Sequence, residues 1–101
     1  MADFLPVYNF PPTKFVKENS LGDQLDHVMS EDLEVLEIVQ MKYEDLEEAC
    51  KDDHLLEEMV DKTQSLETFW RIMEKKHGQE YVQGLFAKVK DKCRAKGYYG
   101  D

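Results

Sequence analysis

A chain of 101 residues, 42% apolar and 35% charged, supports one domain near the lower limit for a self-sufficient core, so completion by a second copy is expected. The formal net charge of −9 argues against a general binder of nucleic acid or of anionic membranes, since both demand basic surface. It leaves nucleotide substrates open, because bound cations invert a local field. Two cysteines, Cys50 and Cys93, have no Cys-x-x-Cys spacing and read as free thiols. No apolar run is long enough for a membrane span, and the start, Met-Ala-Asp-Phe-Leu-Pro, lacks the parts of a signal peptide, so a cytoplasmic location is expected.

Residues 1–19 hold all three prolines (Pro6, Pro11, Pro12) and the aromatics Phe4, Tyr8, Phe10 and Phe15. Proline opposes helix and the rings seek burial, which predicts an extended arm packed on a surface of this subunit or of a neighbour. The remainder, 20–101, reads as a helical domain. Ser20-x-x-Asp23 resembles a capping box and starts a helix near Ser20. Leu21, Leu25, Val28, Met29, Val35, Leu36, Val39 and Tyr43 then recur at helical spacing as its apolar stripe.

The polar stretch from Glu44 to Asp53 predicts a turn or a short helical linker. A second long helix follows from about Asp53 to His77, striped by Leu55, Leu56, Met59, Thr63, Leu66, Phe69, Trp70 and Met73, with Gly78 as its stop. A third runs from roughly Gln79 to Lys96 and ends at Gly97. The fold class is therefore all-α, with no internal repeat.

The chemistry resides in two acidic pairs, Glu31-x-x-Glu34 and Glu58-x-x-Asp61, one on each of the first two long helices. Three-residue spacing puts both carboxylates of a pair on one helix face. Two such helices side by side gather four oxygen ligands suited to a hard cation such as Mg²⁺. Spacing alone proves little. With 22 acids in the chain, about five such matches arise by chance, and Glu34/Glu37, Glu44/Glu47 and Asp45/Glu48 also fit. Phase says more: at ~100° per residue, Glu31 and Glu34 lie roughly 100° and 160° to one side of their stripe, and Glu58 and Asp61 roughly 110° and 170° to the same side of theirs. The competing reading is two ordinary solvated acidic faces.

Other groups admit two readings each. From Lys88 to Lys96 five basic residues face one acid, Asp91, either to suit the C-terminal helix dipole or to meet phosphate. His27 lies on the Glu31/Glu34 side of its helix and can hydrogen-bond a ligating carboxylate, while His54, one turn before Glu58, reads more readily as a polar residue near a helix start than as a group approaching a metal. Phe69, Trp70 and Tyr81 read as core more readily than as a base-stacking platform. Tyr98 and Tyr99, beyond the last helix, are placed either for a ligand or for interface packing. No P-loop, dinucleotide fingerprint or nucleophile arrangement is present.

The strings Ser-Glu-Asp-Leu-Glu-Val-Leu-Glu (30–37), Leu-Leu-Glu-Glu-Met-Val-Asp (55–61) and Lys-Cys-Arg-Ala-Lys-Gly-Tyr-Tyr (92–99) resemble the MazG-like family of all-α nucleoside triphosphate pyrophosphohydrolases over roughly residues 20–99. The closest type is the small single-domain form common in phage and prophage genomes. The family pattern is Glu-x-x-Glu, a spacer, then Glu-x-x-Asp, and here 23 residues separate Glu34 from Glu58. The resemblance implies a four-helix-bundle-like core completed as a homodimer or homotetramer. It also implies Mg²⁺-dependent cleavage of a nucleoside triphosphate to monophosphate and pyrophosphate, with Mn²⁺ as the substitute ion. Carried over by position, Glu31, Glu34, Glu58 and Asp61 are the metal ligands and catalytic carboxylates. Lys92 and Arg94 match basic positions of the family's C-terminal motif and, with Lys88 and Tyr98 from their own placement, are the substrate-binding candidates. Two positions depart from the family: Cys93 stands where Asn is frequent, and Lys96 where Arg is, and an ammonium cannot reproduce bidentate guanidinium contacts. The alternatives from other classes are a non-catalytic acidic helical regulatory protein and a nucleotide sensor on the same fold.

Overall fold

The computed structural model describes residues 8–42 and 44–100, with only the backbone of Met41 and Lys42. It contains five helices and, among the described residues, no strand: α1 (Phe15–Glu18), α2 (Leu21–Lys42), α3 (Leu46–Ala49), α4 (Asp53–His77) and α5 (Gln79–Ala95). The expected roles of Phe4, Pro6 and Tyr43 lie outside the described residues.

Local chemistry sets the boundaries. Ser20 Oγ accepts the backbone N–H of Asp23 at 3.1 Å and opens α2, satisfying one of the donors a helix start leaves unpaired. Asp45 and Asp52 cap α3 and α4 in the same way through the N–H groups of Glu47 and His54. The 44–53 linker thus holds a single helical turn. Gly78, at φ 89° and ψ 156°, adopts a backbone conformation that side chains exclude. It donates its N–H to the Glu74 carbonyl at 2.8 Å and sends the chain straight into α5. Gly97, at φ 78°, closes α5 in a Schellman arrangement, with Tyr98 N–H on the Cys93 carbonyl and Gly97 N–H on that of Arg94.

The largest interface joins α2 to α4. Their partners run in opposite order, Gln24 with Ser65 and Asp32 with Lys62, so the helices are antiparallel. The α2 face that meets α4 is the line Gln24, Val28 and Glu31, continued by half-buried Val35 and Ile38. On α4 the buried residues are Leu55, Ser65, Glu67, Thr68 and Ile72, of which Ser65 bonds α2 directly. The apolar stripes drawn from the sequence hold in part: Val28 and Leu55 are buried and Leu21, Val35, Val39, Phe69, Trp70 and Met73 half-buried, whereas Leu25, Met29 and Leu36 on α2, and Leu56, Met59 and Leu66 on α4, are exposed. A polar line, Gln24, Glu31 and Ser65, lies within the contact. Hydrophobic periodicity found the helices but placed their buried faces too far toward the apolar flank.

Helix α5 packs on α4 through the fully buried Val82 and an edge-to-face chain in which Trp70 lies 5.4 Å from Phe69 and 5.2 Å from Phe86. Phe69 and Trp70 are therefore packing residues, while Tyr81 is exposed beside His77.

The arm packs on α4 of its own chain. Glu67 accepts the backbone N–H of Asn9 at 3.0 Å, the Asn9 side-chain amide at 3.1 Å and the backbone N–H of Phe10 at 3.1 Å. Arg71 donates to the Phe10 carbonyl at 2.7 Å and lies 4.1 Å from the centre of the Tyr8 ring. The arm departs from the expected extended form at its end, where residues 15–18 make the one-turn α1. Cys50 and Cys93 are free thiols. No helix among the described residues is long and apolar enough to cross a membrane.

Candidate functional site

All four carboxylates singled out by spacing line one cleft of about 390 Å³: Glu31 and Glu34 from α2, Glu58 and Asp61 from α4. Two facts produce this. The i, i+3 spacing keeps each pair on one face, and the antiparallel α2–α4 pairing turns both faces to the same side. The arm supplies the remaining wall with Thr13 and Phe15, and Thr13 Oγ1 lies 3.1 Å from Thr68 Oγ1.

The carboxylates are unequal. Glu31 is buried at the helix contact, where Ser65 donates a hydrogen bond to it and His27 Nε2 lies 2.9 Å from its Oε1. Glu58 is half-buried, and Glu34 and Asp61 are exposed at the mouth. Behind Glu31 the support continues: Gln24, 1% exposed, donates to the Ser65 carbonyl at 2.9 Å and accepts from Asn19 Nδ2 at 2.9 Å. The floor is thus held by hydrogen-bonded side chains, while the rim carboxylates Glu34 and Asp61 are exposed.

Electrostatically, the strongest perturbation lies outside the cleft, at the arm's anchor. Burial pushes the Glu67 carboxyl up, but the N–H groups of Asn9 and Phe10, the Asn9 amide and the Arg71 guanidinium outweigh it and hold its pKa below the usual carboxylate range. Glu67 therefore stays ionised and keeps the arm seated against the cleft.

The basic candidates are elsewhere. Lys88, Lys92 and Arg94 are exposed on α5, and Tyr98 is exposed just beyond it; none belongs to the cleft lining. Arg94 approaches Asp91 at 3.8 Å and the Tyr99 ring at 5.8 Å. His54 also lies outside the lining, exposed in the first turn of α4.

Four carboxylates from two helices provide the hard oxygen donors that Mg²⁺ takes, so the donor set fits such an ion. Among the described residues, no group of three or more His, Cys, Asp or Glu side chains is arranged to hold a metal ion as placed. Glu31 is engaged by Ser65 and His27, whereas Glu34 and Asp61 are exposed and can change rotamer.

Gln24, Gln64, Ser65, Thr68, Thr13 and Phe15 escaped the sequence reading of the site. Polar residues inside an apolar helix period, Gln24 and Ser65 above all, were the available signal: such a residue facing a neighbouring helix must find a partner. Comparison of the chain with protein-family models, with curated proteins and with solved structures gave no match.

Proposed function

We propose that the chain is a divalent-cation-dependent nucleoside triphosphate pyrophosphohydrolase of MazG-like type, working in the cytoplasm and releasing a monophosphate and pyrophosphate. The observation that carries this reading is the convergence of Glu31, Glu34, Glu58 and Asp61 on one cleft. In it, these four residues hold Mg²⁺, or Mn²⁺ in its place. A bound cation supplies Lewis acidity toward phosphoryl oxygen and a more acidic water.

The chain's own residues divide the remaining work. Glu31 is oriented by Ser65 and His27 and acts as the fixed ligand. Glu34 and Asp61, at the mouth, adapt to the incoming phosphates, and a carboxylate not fully engaged accepts the proton of the attacking water. Phe15 and Thr13 form part of the cleft wall. The test is pyrophosphate release from a panel of ribo- and deoxynucleoside triphosphates with Mg²⁺ and with EDTA. Metal-dependent release lost in Glu58→Gln supports the reading.

A second reading, a sensor that binds metal–nucleotide without turnover, is favoured by one observation. Lys88, Lys92 and Arg94 lie outside the cleft lining, which leaves a transition state with fewer cations to stabilise it. Saturable Mg²⁺-dependent nucleotide binding in calorimetry, with no pyrophosphate released, separates this case from the enzyme.

A further inference from the structure

A second groove adjoins the acidic cleft and carries the opposite charge. It measures about 620 Å³ and is walled by Lys14 and Lys17 of the arm and by Lys75 near the end of α4. Glu18 is the one carboxylate in its lining. In a chain of net charge −9, three ammonium groups against one acid reverse the local field. All three lysines are exposed, and the salt bridges among the described residues use His27, Lys51, Lys62 and Arg94 rather than any of them.

The groove and the cleft share a wall. Thr13 lines both, and its hydroxyl meets that of Thr68, which lines the cleft. Lys14 Nζ lies 5.3 Å from the centre of the Phe15 ring, and Phe15 also lines the cleft. On α4, Asp61, Thr68 and Lys75 are seven residues apart, so each is turned by only about 20° from the one before. At ~1.5 Å per residue they mark one line along the helix in steps of about 10 Å. That line runs from the acidic carboxylates, past the threonine wall, to the basic groove. The arm completes it: Glu67 and Arg71 seat Asn9 and Phe10 on α4, and this brings Lys14 and Lys17 to the same groove as Lys75.

We propose that Lys14, Lys17 and Lys75 form a pyrophosphate site, which takes the terminal phosphates of the nucleotide whose metal-bound phosphates lie in the acidic cleft. This site rests on the pyrophosphohydrolase reading for the source of its anion. Lysine suits the task, because a flexible ammonium with three donors binds phosphate as a point charge. The carboxylates hold the cation at one end, and phosphate charge beyond that cation meets lysine at the other. The arm and the end of α4 thus supply the positive charge that Lys88, Lys92 and Arg94 do not bring to the cleft lining.

Inorganic pyrophosphate is the probe, first in EDTA, where no cation anchors it to the carboxylates. Calorimetry should show saturable binding that weakens with added salt. Combining Lys14→Gln, Lys17→Gln and Lys75→Gln should weaken it about 10-fold, the loss of three exposed charge contacts. Lys88→Gln with Lys92→Gln should leave it intact. In wild type, pyrophosphate should slow acetylation of Lys14, Lys17 and Lys75 but not of Lys88, read by mass spectrometry, so the test does not depend on a variant folding. With Mg²⁺, the triple variant should raise the KM for nucleoside triphosphate about 10-fold. Pyrophosphate that neither binds in EDTA nor protects the three lysines overturns the site, even if triphosphate is turned over. Binding lost in the α5 double variant and kept in the triple variant overturns it as well. An unchanged KM in the triple variant overturns the substrate as the source of the anion. Binding and protection without turnover of any nucleotide uphold the anion site and overturn the pyrophosphohydrolase reading instead.

Discussion

Glu67 grips Asn9 twice, through the backbone N–H at 3.0 Å and the side-chain amide at 3.1 Å, across 58 positions of sequence. This contact seats the arm on α4 and brings Thr13 and Phe15 to the cleft wall. Replacing buried Glu67 with Gln removes acceptor capacity from several part-buried donors and should cost about 1–3 kcal/mol. Urea denaturation measures that loss, and limited proteolysis should cut the arm of the variant faster.

The same carboxylate predicts a pH dependence. Its folded pKa lies below its unfolded value, so its stabilisation is complete above the ordinary carboxylate pKa. It fades as the pH falls toward the lowered folded value, because the unfolded chain takes up the proton first. Unfolding free energies measured through the acid range should show wild type and Glu67→Gln converging as the pH drops.

Gln24→Ala should destabilise the fold by about 1–3 kcal/mol, since it strips the Asn19 amide of its acceptor and the Ser65 carbonyl of a donor at a buried site. If the loss by thermal or chemical denaturation stays below a few tenths of a kcal/mol, the polar line does not organise the α2–α4 contact.

Gly78→Ala isolates backbone strain. A Cβ at this position meets nothing within 4 Å, so the cost comes from the φ of 89° alone. It should amount to about 1–3 kcal/mol of stability with helix content retained, read by circular dichroism during denaturation.

What the sequence yielded follows from which forces are local. Caps and breakers are local, so Ser20, Asp53, His77 and Gly78 marked boundaries that match the structure. The i, i+3 spacing of the acidic pairs is local too, and all four carboxylates do line one cleft. The face that each helix buries is not local. Val28 and Leu55 of the apolar stripes are buried, but Leu25, Met29, Leu36, Met59 and Leu66 are exposed, and the polar Gln24, Glu31 and Ser65 join α2 to α4. That choice depends on side-chain pairings between helices tens of residues apart, which periodicity does not encode. Glu67 was invisible for the same reason: among 22 acids, nothing in its neighbourhood announces Asn9 and Phe10 as partners.

The proposed metal-dependent catalysis rests on the carboxylate cleft. Glu34 is exposed, so Glu34→Gln should alter stability by no more than about 0.5 kcal/mol. The most direct test is pyrophosphate release by wild type, Glu34→Gln and Glu58→Gln over the nucleoside triphosphate panel, with Mg²⁺ and with EDTA. Mg²⁺-dependent release should fall by about 10²–10³-fold in each folded variant. Release that is unaffected by EDTA, or full turnover in either variant, would contradict the proposed catalysis.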